Sequence, residues 1–245
     1  MPLIPAAKFT FVQGFAVLDD SEYGTKARMA EKIIGKSLSE EFYFAATHFG
    51  DSPRAIGQVC KHYNKKAKIF YPQIHKEDYT PIMKQTESLG VQIEVIDSED
   101  FADVIAATDT AAERDKNGER ISFRGLSSIE VVAETVREAI SASAMPEPDY
   151  FFSASSTGSM AKGLQLACPK ADHHAVRVMN AENADFGKAH IHEASLEIIK
   201  FVNGLPPLNT SFEAAAWPVM LDWSRRNPHI PRESICFWFP AKSFG

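Results

Sequence analysis

The feature that most constrains the fold of this chain is a repeated alternation of short apolar runs with longer amphipathic segments. The run EFYFAA at 41–46 has the length of a buried strand, and the segment 52–63 after it, with Pro53 in its first turn, is predicted as a helix. Further strands are predicted at 68–71, 91–96, 150–154, 175–179 and 235–239, and further helices at 79–89, 99–117, 127–144, 159–166, 191–203 and 212–224. This order predicts an α/β fold of open, mostly parallel sheets covered by helices.

The repeat falls into two blocks, which predict two lobes. Residues 39–121 are expected to form a small lobe, and residues 1–38 together with 122–245 a large one that anchors a ligand. In open α/β sheets, ligands bind beyond the carboxyl ends of the strands. A ligand site is therefore expected where these strand ends face a cleft.

Charge and apolar patterning exclude several classes of protein. The 245-residue chain has a net charge of −6, which argues against broad nucleic-acid binding, although the basic segment KHYNKKAK at 61–68 leaves a local contact open. No apolar run approaches the ~20 residues of a membrane-spanning helix. The N-terminal residues lack the pattern of a secretory signal. Because Cys60, Cys168 and Cys236 form no CxxC pair, a cytoplasmic protein without disulfides is expected.

One segment presents a lysine in a special position. The sequence DDSEYGTKAR at 19–28 places Lys26 two residues after a glycine, at the start of an amphipathic helix. The positive end of the helix dipole disfavours a protonated amine there. A desolvated lysine at such a position can act as a nucleophile or form a Schiff base. The alternative is an ordinary surface lysine.

A second segment, SSTGS at 155–159, follows a predicted strand directly and precedes a predicted helix. Small hydroxyl residues and a glycine let backbone N–H groups approach an anion, and the helix dipole favours phosphate. The segment is neither a Walker loop nor a GxGxxG motif. It is predicted as a phosphate-binding loop, with a polar turn that only caps the helix as the alternative.

The segment THFGDS at 47–52 has the same position after the first predicted strand, so it is expected to face a ligand. His48 could hold a carboxylate or carry a proton there, or it could be a surface residue. Among the eight histidines, His190 and His192 are two residues apart, but no HExxH motif and no cysteine pair accompanies them. No metal site is predicted.

Taken in order, these segments resemble the fold-type II pyridoxal phosphate (PLP) enzymes, the group of tryptophan synthase β, cysteine synthase and ACC deaminase. The segment 19–28 is similar to the lysine element of that family, and 47–52 to its Ser/Gly/Asn loop. The segment ESLGV at 87–91 and the stretch PDYFFSASSTGSMAKGLQLA at 148–167 are similar to later family segments, the second of them the phosphate loop. The end of the chain, ESICFWFPAKSFG at 233–245, resembles the last core strand.

The resemblance implies a homodimer that carries pyridoxal 5′-phosphate on Lys26 as a Schiff base. Asp51 stands where the family has an asparagine that contacts the ring hydroxyl, and Ser243 is the candidate partner of the pyridine nitrogen. The residues implied to bind the phosphate are Ser155, Ser156, Thr157, Gly158 and Ser159. Those implied to face the substrate are Thr47, His48 and Gly50.

The implied function is a lyase or transferase reaction at the α- or β-carbon of a small amino acid, with Lys26 also as general acid or base. Two alternatives stay open. One is the same chemistry, for example decarboxylation, on an amino acid attached to a nucleotide or nucleic acid, as in phage base modification. A chain that is short for this family, with a basic segment, would suit such a bulky substrate. The other is a binding protein that kept the fold and lost the chemistry.

Overall fold

The structure is a computed structural model of the chain, and it describes residues 4–20, 23–48, 50–122, 126, 128–143, 146–178, 184–194 and 212–239. Its strands are β1 (Lys8–Val12), β2 (Phe15–Asp19), β3 (Glu41–Ala45), β4 (Lys66–Tyr71), β5 (Gln92–Val95), β6 (Gly118–Arg120), β7 (Tyr150–Ser155), β8 (Asp172–Arg177), β9 (His190–Glu193) and β10 (Ile235–Phe239). Its helices are α1 (Gly24–Ile34), α2 (Ser52–His62), α3 (Pro81–Ser88), α4 (Phe101–Arg114), α5 (Ile129–Ser143), α6 (Ser159–Ala167) and α7 (Glu213–Arg226). The chain divides into two compact units: unit 1 comprises residues 1–4 and 26–127, and unit 2 comprises residues 5–25 and 128–245.

Unit 1 is built on a four-stranded sheet in the order β5-β4-β3-β6, in which neighbouring strands run parallel. The central strands are apolar because helices cover both of their faces. On one face, Tyr43 and Phe70 pack with Val104 of α4. Ile56 and Val59 of α2 are fully buried as well. The strand–loop–helix order of this unit places the loop 46–51 at the carboxyl end of β3.

Unit 2 is built on a six-stranded sheet in the order β1-β2-β10-β7-β8-β9. All neighbours are parallel except β1 and β2, which form an antiparallel hairpin. Gln13 and Gly14 make its turn, with φ of +54° and +87°. Positive φ at both central residues matches the right-handed twist of the two strands. The hairpin places β2 beside β10, so that β2 enters the parallel part of the sheet.

The core of unit 2 lies between its sheet and α7. Trp217 and Met220 of α7 are buried against Phe152 of β7 and Phe237 of β10. The Trp217 ring meets Phe237 edge-on, with ring centroids 5.2 Å apart. Near the other end of α7, the ring of Trp223 lies 5.2 Å from that of Tyr150, the first residue of β7. Trp217 thus packs over β2 and β10, and Trp223 over β7 and β8, so α7 crosses the sheet from one pair of strands to the next.

The predicted α/β fold of parallel sheets covered by helices is confirmed. Most predicted strands and helices agree with the structure to within a few residues. The helix predicted at 191–203 is wrong at its start, because 190–193 form β9; residues 195–203 lie outside the described residues. Pairing with the open edge of β8 satisfies the backbone of 190–193, and this outweighs the local helical period. The lobe boundaries predicted at 38/39 and 121/122 stay a prediction.

The described helices are all too short or too polar to cross a membrane. Cys60, Cys168 and Cys236 are buried free thiols. Burial raises the pKa of both the Cys60 and Cys168 thiols to about 12, so these side chains are inert at neutral pH.

Candidate active site

Lys26 is the third residue of α1, in the turn where the helix begins. The chain enters α1 at Gly24, which has φ of +75° and donates its N–H to the Asp20 carbonyl oxygen at 2.7 Å. The Lys26 amine donates a hydrogen bond to the carbonyl oxygen of Leu126. Because one N–H of the amine points at this carbonyl, the amine has a fixed orientation in unit 1.

Burial lowers the pKa of the Lys26 amine below its ordinary value, while the negative charge of Asp51 raises it. The first turn of α1 contains no acidic residue, so the helix itself adds no counter-charge at this end. Desolvation therefore favours the uncharged amine, the form that attacks carbonyl carbons. The structure thus gives the predicted lysine the electrostatic setting of a nucleophile.

The loop after β3 is held in place by its own hydrogen bonds. The His48 ring nitrogen Nε2 lies 3.2 Å from the Pro72 carbonyl oxygen, and its ring stacks on Tyr71 with centroids 6.2 Å apart. The Thr80 hydroxyl donates to the His48 carbonyl oxygen at 2.7 Å. Thr47 is exposed, and the Gly50 N–H donates to its carbonyl oxygen at 3.4 Å. The imidazole of His48 therefore anchors the loop to the segment after β4, and the substrate contacts of Thr47, His48 and Gly50 stay a prediction.

Asp51 is the residue before α2, but its carboxylate does not cap the helix. Instead both of its oxygens accept hydrogen bonds from Arg54, with Nε to Oδ1 at 2.7 Å and Nη2 to Oδ2 at 2.9 Å. Ser52 is the first helical residue. The sequence reasoning missed Arg54; the i,i+3 spacing of an acid and an arginine was the available signal. The predicted contact of Asp51 with a ring hydroxyl stays untested.

In unit 2, the predicted phosphate loop joins the end of β7 to the start of α6. Ser155 is buried as the last residue of β7, Ser156 and Ser159 are half-buried, and Thr157 is exposed. The Thr157 and Ser159 hydroxyl oxygens lie 3.4 Å apart. The structure thus brings all five predicted residues together in one strand–loop–helix turn.

Gly158 decides the shape of this turn. Its φ is +91°, and a Cβ at this position would lie 2.0 Å from the carbonyl oxygen of Asp185. The Asp185 N–H in turn donates to the Thr157 carbonyl oxygen at 3.2 Å, so the two backbone segments are in direct contact. Both the left-handed φ and the close approach require glycine.

The amino end of α6 has the chemistry of an anion site. Its N-cap, Gly158, has no side chain to accept the first backbone N–H groups, and its first turn contains no acidic residue. The N–H groups and the helix dipole at such an end favour a phosphate. Ser243, the predicted partner of a pyridine nitrogen, lies outside the described residues.

A buried carboxylic acid, which the sequence reasoning missed, lies at the amino end of α7. Glu213 is 3% exposed, and its Oε2 has no hydrogen-bond partner among the described residues. Burial raises the pKa of this carboxyl to about 7. A single acid before an alanine run gives no signal of burial in the sequence.

The histidines of β8 and β9 tie these two strands together. His174 Nδ1 lies 2.9 Å from His192 Nε2, and His190 Nε2 lies 3.1 Å from Asp172 Oδ1. Burial lowers the pKa of His174 to about 4, so its ring is neutral at neutral pH. Within the part of the chain that the structure describes, no three histidine, cysteine or acidic residues are arranged to hold a metal ion.

No protein-family model matches the sequence, and no curated protein matches it significantly. Solved structures are similar over almost the whole chain. A homologue of ACC deaminase has a TM-score of 0.76 at 16% identity, over 98% of this chain and 90% of that one. Threonine deaminase isoform 2 from Solanum lycopersicum, in its processed form, has a TM-score of 0.72 at 13% identity, over 94% of this chain and 75% of that one. Serine racemase from Dictyostelium discoideum has a TM-score of 0.72 at 11% identity, over 95% of this chain and 88% of that one.

Proposed function

The chain has the fold of the fold-type II PLP enzymes, and we propose that it is a PLP-dependent lyase or transferase that acts at the α- or β-carbon of an amino acid. The observation that carries this proposal is the half-buried amine of Lys26, whose pKa is lowered by desolvation, in the first turn of a helix. A fold shared with enzymes of several activities does not by itself specify a reaction. The chemistry therefore has to be inferred from the residues.

The chemistry of two described helix starts supports the binding of this cofactor, one at its aldehyde and the other at its phosphate. The Lys26 amine is suited to hold its aldehyde carbon, because desolvation favours the neutral amine. The amino end of α6 is suited to its phosphate, because no acidic residue of the first turn competes for the N–H groups. The hydroxyls of Ser156, Thr157 and Ser159 would add donors to that phosphate. Ser155 would contribute its backbone, since its side chain is buried.

PLP, when bound, stabilises negative charge on the α-carbon of an attached amino acid. Lys26 then has a second task in the proposed reaction. The Lys26 amine would accept or donate the proton at the α-carbon, and burial, which lowers its pKa, favours the neutral form that can accept it. The hydrogen bond to the Leu126 carbonyl limits where the amine can move. The anchored loop of Thr47, His48 and Gly50 would face the amino-acid substrate.

Borohydride trapping tests the proposal. Purified protein is incubated with PLP and reduced, and the modified peptide is identified by mass spectrometry. We expect the adduct on Lys26, together with the visible absorbance of a protein-bound Schiff base. Lys26→Ala and Lys26→Arg should lose both signals, the second although it keeps the positive charge. Lys32→Ala, at an exposed lysine of the same helix, is the matched control and should keep them.

An adduct on other lysines only, or equal labelling of Lys26→Ala, would contradict the proposal and favour a binding protein that has lost the chemistry. If the adduct forms, a screen for ammonia or keto-acid release starts with ACC, threonine and serine, the amino acids named for the similar structures. The predicted homodimer is tested in the same preparation by sedimentation.

The alternative of a substrate attached to nucleic acid rests partly on the short length of the chain and partly on the basic segment 61–68. Two lysines of that segment are engaged within unit 1. Lys65 donates to the carbonyl oxygens of Ile34 at 2.9 Å and Ser37 at 2.6 Å, and Lys68 pairs with Glu94 at 3.2 Å. These contacts favour the free amino acid as substrate. DNA binding that weakens steeply with salt would favour the alternative.

A further inference from the structure

The segment 184–189 forms one side of the turn 155–159. The Asp185 N–H donates to the Thr157 carbonyl oxygen at 3.2 Å, and a Cβ on Gly158 would come within 2.0 Å of the Asp185 carbonyl oxygen. The backbone of Asp185 is therefore in contact with the two residues that precede α6. A displacement of the segment 184–189 would change the space that the turn occupies and the direction of its N–H groups.

The side-chain amide of Gln165, on α6, binds this segment at two points. Its Nε2 donates to the carbonyl oxygen of Phe186 at 2.8 Å, and its Oε1 accepts from the N–H of Lys188 at 2.8 Å. The same Nε2 donates to the carbonyl oxygen of Ala161 at 3.1 Å, within α6. An amide side chain has both N–H donors and a carbonyl acceptor, so Gln165 satisfies two backbone groups of the segment at once.

The fit between Gln165 and the segment is close. Gly187 has φ of +63°, and a Cβ at this position would lie 2.6 Å from Gln165 Oε1. The Phe186 ring is buried among alanines of α6 and β8. The ion pair of Lys162 with Asp185, at 2.8 Å, adds little because the Asp185 side chain is 67% exposed. Among the described polar contacts, the bonds of the Gln165 amide thus contribute most to holding the segment on α6.

We propose that Gln165 is a positioning residue, which holds the segment 184–189 against the turn 155–159 and thereby raises the affinity of that turn for a phosphate. The inference rests on the proposed function, which assigns the phosphate of the cofactor to the start of α6. Gln165 lies ~9 Å along the helix axis from Ser159, and its amide is bonded to the segment, so it acts on the turn through the segment. A turn that is already held in place loses less conformational freedom when the phosphate binds.

The test compares PLP with pyridoxal, which has the same aldehyde and no phosphate. The affinity for each is measured by absorbance titration in the unmodified protein and in Gln165→Met, which keeps a long unbranched side chain but loses both the N–H donors and the carbonyl acceptor. We expect the affinity for PLP to fall about fivefold or more, because two hydrogen bonds to the segment are lost. The affinity for pyridoxal should stay the same.

The ratio of the two affinities distinguishes this role from a structural one. If Gln165 only stabilised the fold, the affinities for PLP and pyridoxal would fall together, or both would stay while the free energy of unfolding fell. Either outcome would overturn the proposal. Gln165→Glu keeps an acceptor for the Lys188 N–H but places an oxygen against the Phe186 carbonyl oxygen, so it should also weaken PLP alone. If Gln165→Met does not fold, Gln165→Glu carries the test.

Gln58→Met provides the matched control. Gln58 is a half-buried glutamine of α2 whose side-chain oxygen accepts from Arg54 Nη1 at 3.1 Å. The same chemical change at this position should leave the ratio of the PLP and pyridoxal affinities unchanged. An equal change of the ratio in both variants would overturn the role of Gln165.

Failure of the proposed function would appear separately, as the absence of a borohydride adduct on Lys26 with either aldehyde. Inorganic phosphate, titrated by calorimetry, then replaces PLP as the probe, and Gln165→Met should still weaken its binding about fivefold or more. Failure of the positioning role would leave the Lys26 adduct intact and the affinity for PLP or phosphate unchanged in Gln165→Met.

Discussion

The helices α2 and α6 begin in similar positions of the fold, but the charge at their amino ends differs. Each follows a strand of a parallel sheet after a short polar loop. At α2, the residue before the helix is Asp51, a carboxylate already neutralised by Arg54. At α6 it is Gly158, and neither the cap nor the first turn supplies a negative charge. The dipole of α6 would therefore favour an anion at its amino end.

The place of a loop in an α/β fold therefore does not make it a phosphate site. Both loops lie at the carboxyl end of a strand, where ligands of such folds bind. What differs is the residue at the N-cap. At α6 it is a glycine without charge, which suits an anion, whereas at α2 it is a carboxylate that Arg54 already pairs.

The largest effect is expected from Gly158→Ala. The added methyl group would fill the turn before α6, and the start of α6 would no longer be suited to an anion. The new Cβ would lie 2.0 Å from the Asp185 carbonyl oxygen at a φ of +91°, so the turn must move. We expect the free energy of unfolding to fall by about 2–3 kcal/mol and the affinity for PLP to fall at least about tenfold. Urea unfolding and a PLP absorbance titration measure the two.

Gly90→Ala is the control for that experiment. Gly90 has φ of +88°, but a Cβ at this position would have nothing within 4 Å, so the variant tests backbone strain without the clash. It should cost about 1–2 kcal/mol and leave the PLP affinity unchanged. Equal losses of affinity in the two variants would mean that the close approach to Asp185 does not shape the site.

An effect on stability alone is expected from Glu213→Gln, at a third helix start, where a buried acid is the first helical residue. The folded pKa of about 7 is above the ordinary value of 4.5 for this carboxyl. The protonated acid therefore favours the folded state, and this stability is fully present below pH 4.5 and is lost as pH rises through 7. Glutamine stays neutral, so at about pH 8.5 the variant should be more stable than the unmodified protein by up to about 3 kcal/mol.

At pH 4 the same substitution should change the free energy of unfolding little. Urea unfolding at both pH values measures the difference, with Glu233→Gln, at an exposed glutamate, as the control. A stability gain that is the same at pH 4 and pH 8.5 would show that ionisation of Glu213 is not its cause.

The smallest effect is expected from Ser159→Asp, which places a carboxylate in the first turn of α6, where no acidic residue stands. The carboxylate in the first turn should stabilise the phosphate-free protein by about 0.3–1 kcal/mol. It should also weaken the binding of inorganic phosphate about tenfold, because two negative charges compete for one helix end. Calorimetric titration measures the phosphate affinity, which should fall. Thermal unfolding measures the stability of the phosphate-free protein, which should rise.

Ser52→Asp places the same charge in the first turn of α2, where we expect no change in phosphate binding. An equal loss of phosphate affinity in both variants would show that the two helix starts do not differ in anion binding. An unchanged affinity in Ser159→Asp would place the anion elsewhere.

Much of the fold could be predicted because its strands are buried on both faces. The runs at 41–46 and 235–239 are almost wholly apolar, and the structure places β3 and β10 there. The hairpin of β1 and β2 was not predicted, although Gln13 and Gly14 lie between two alternating runs. The strand β9 could not be predicted locally, because its pairing depends on the open edge of β8.

Local sequence was sufficient to specify the alternation of strands and helices, the position of Lys26 at a helix start and the glycine in the 155–159 turn. These properties are set by apolar period and by backbone freedom over a few residues. The electrostatics, in contrast, came from tertiary structure alone. The desolvation of Lys26 and the burial of Glu213 both depend on groups brought together from distant elements. The physical reason is that solvation and Coulomb energy depend on the distances between groups in space. The order of residues along the chain does not specify these distances.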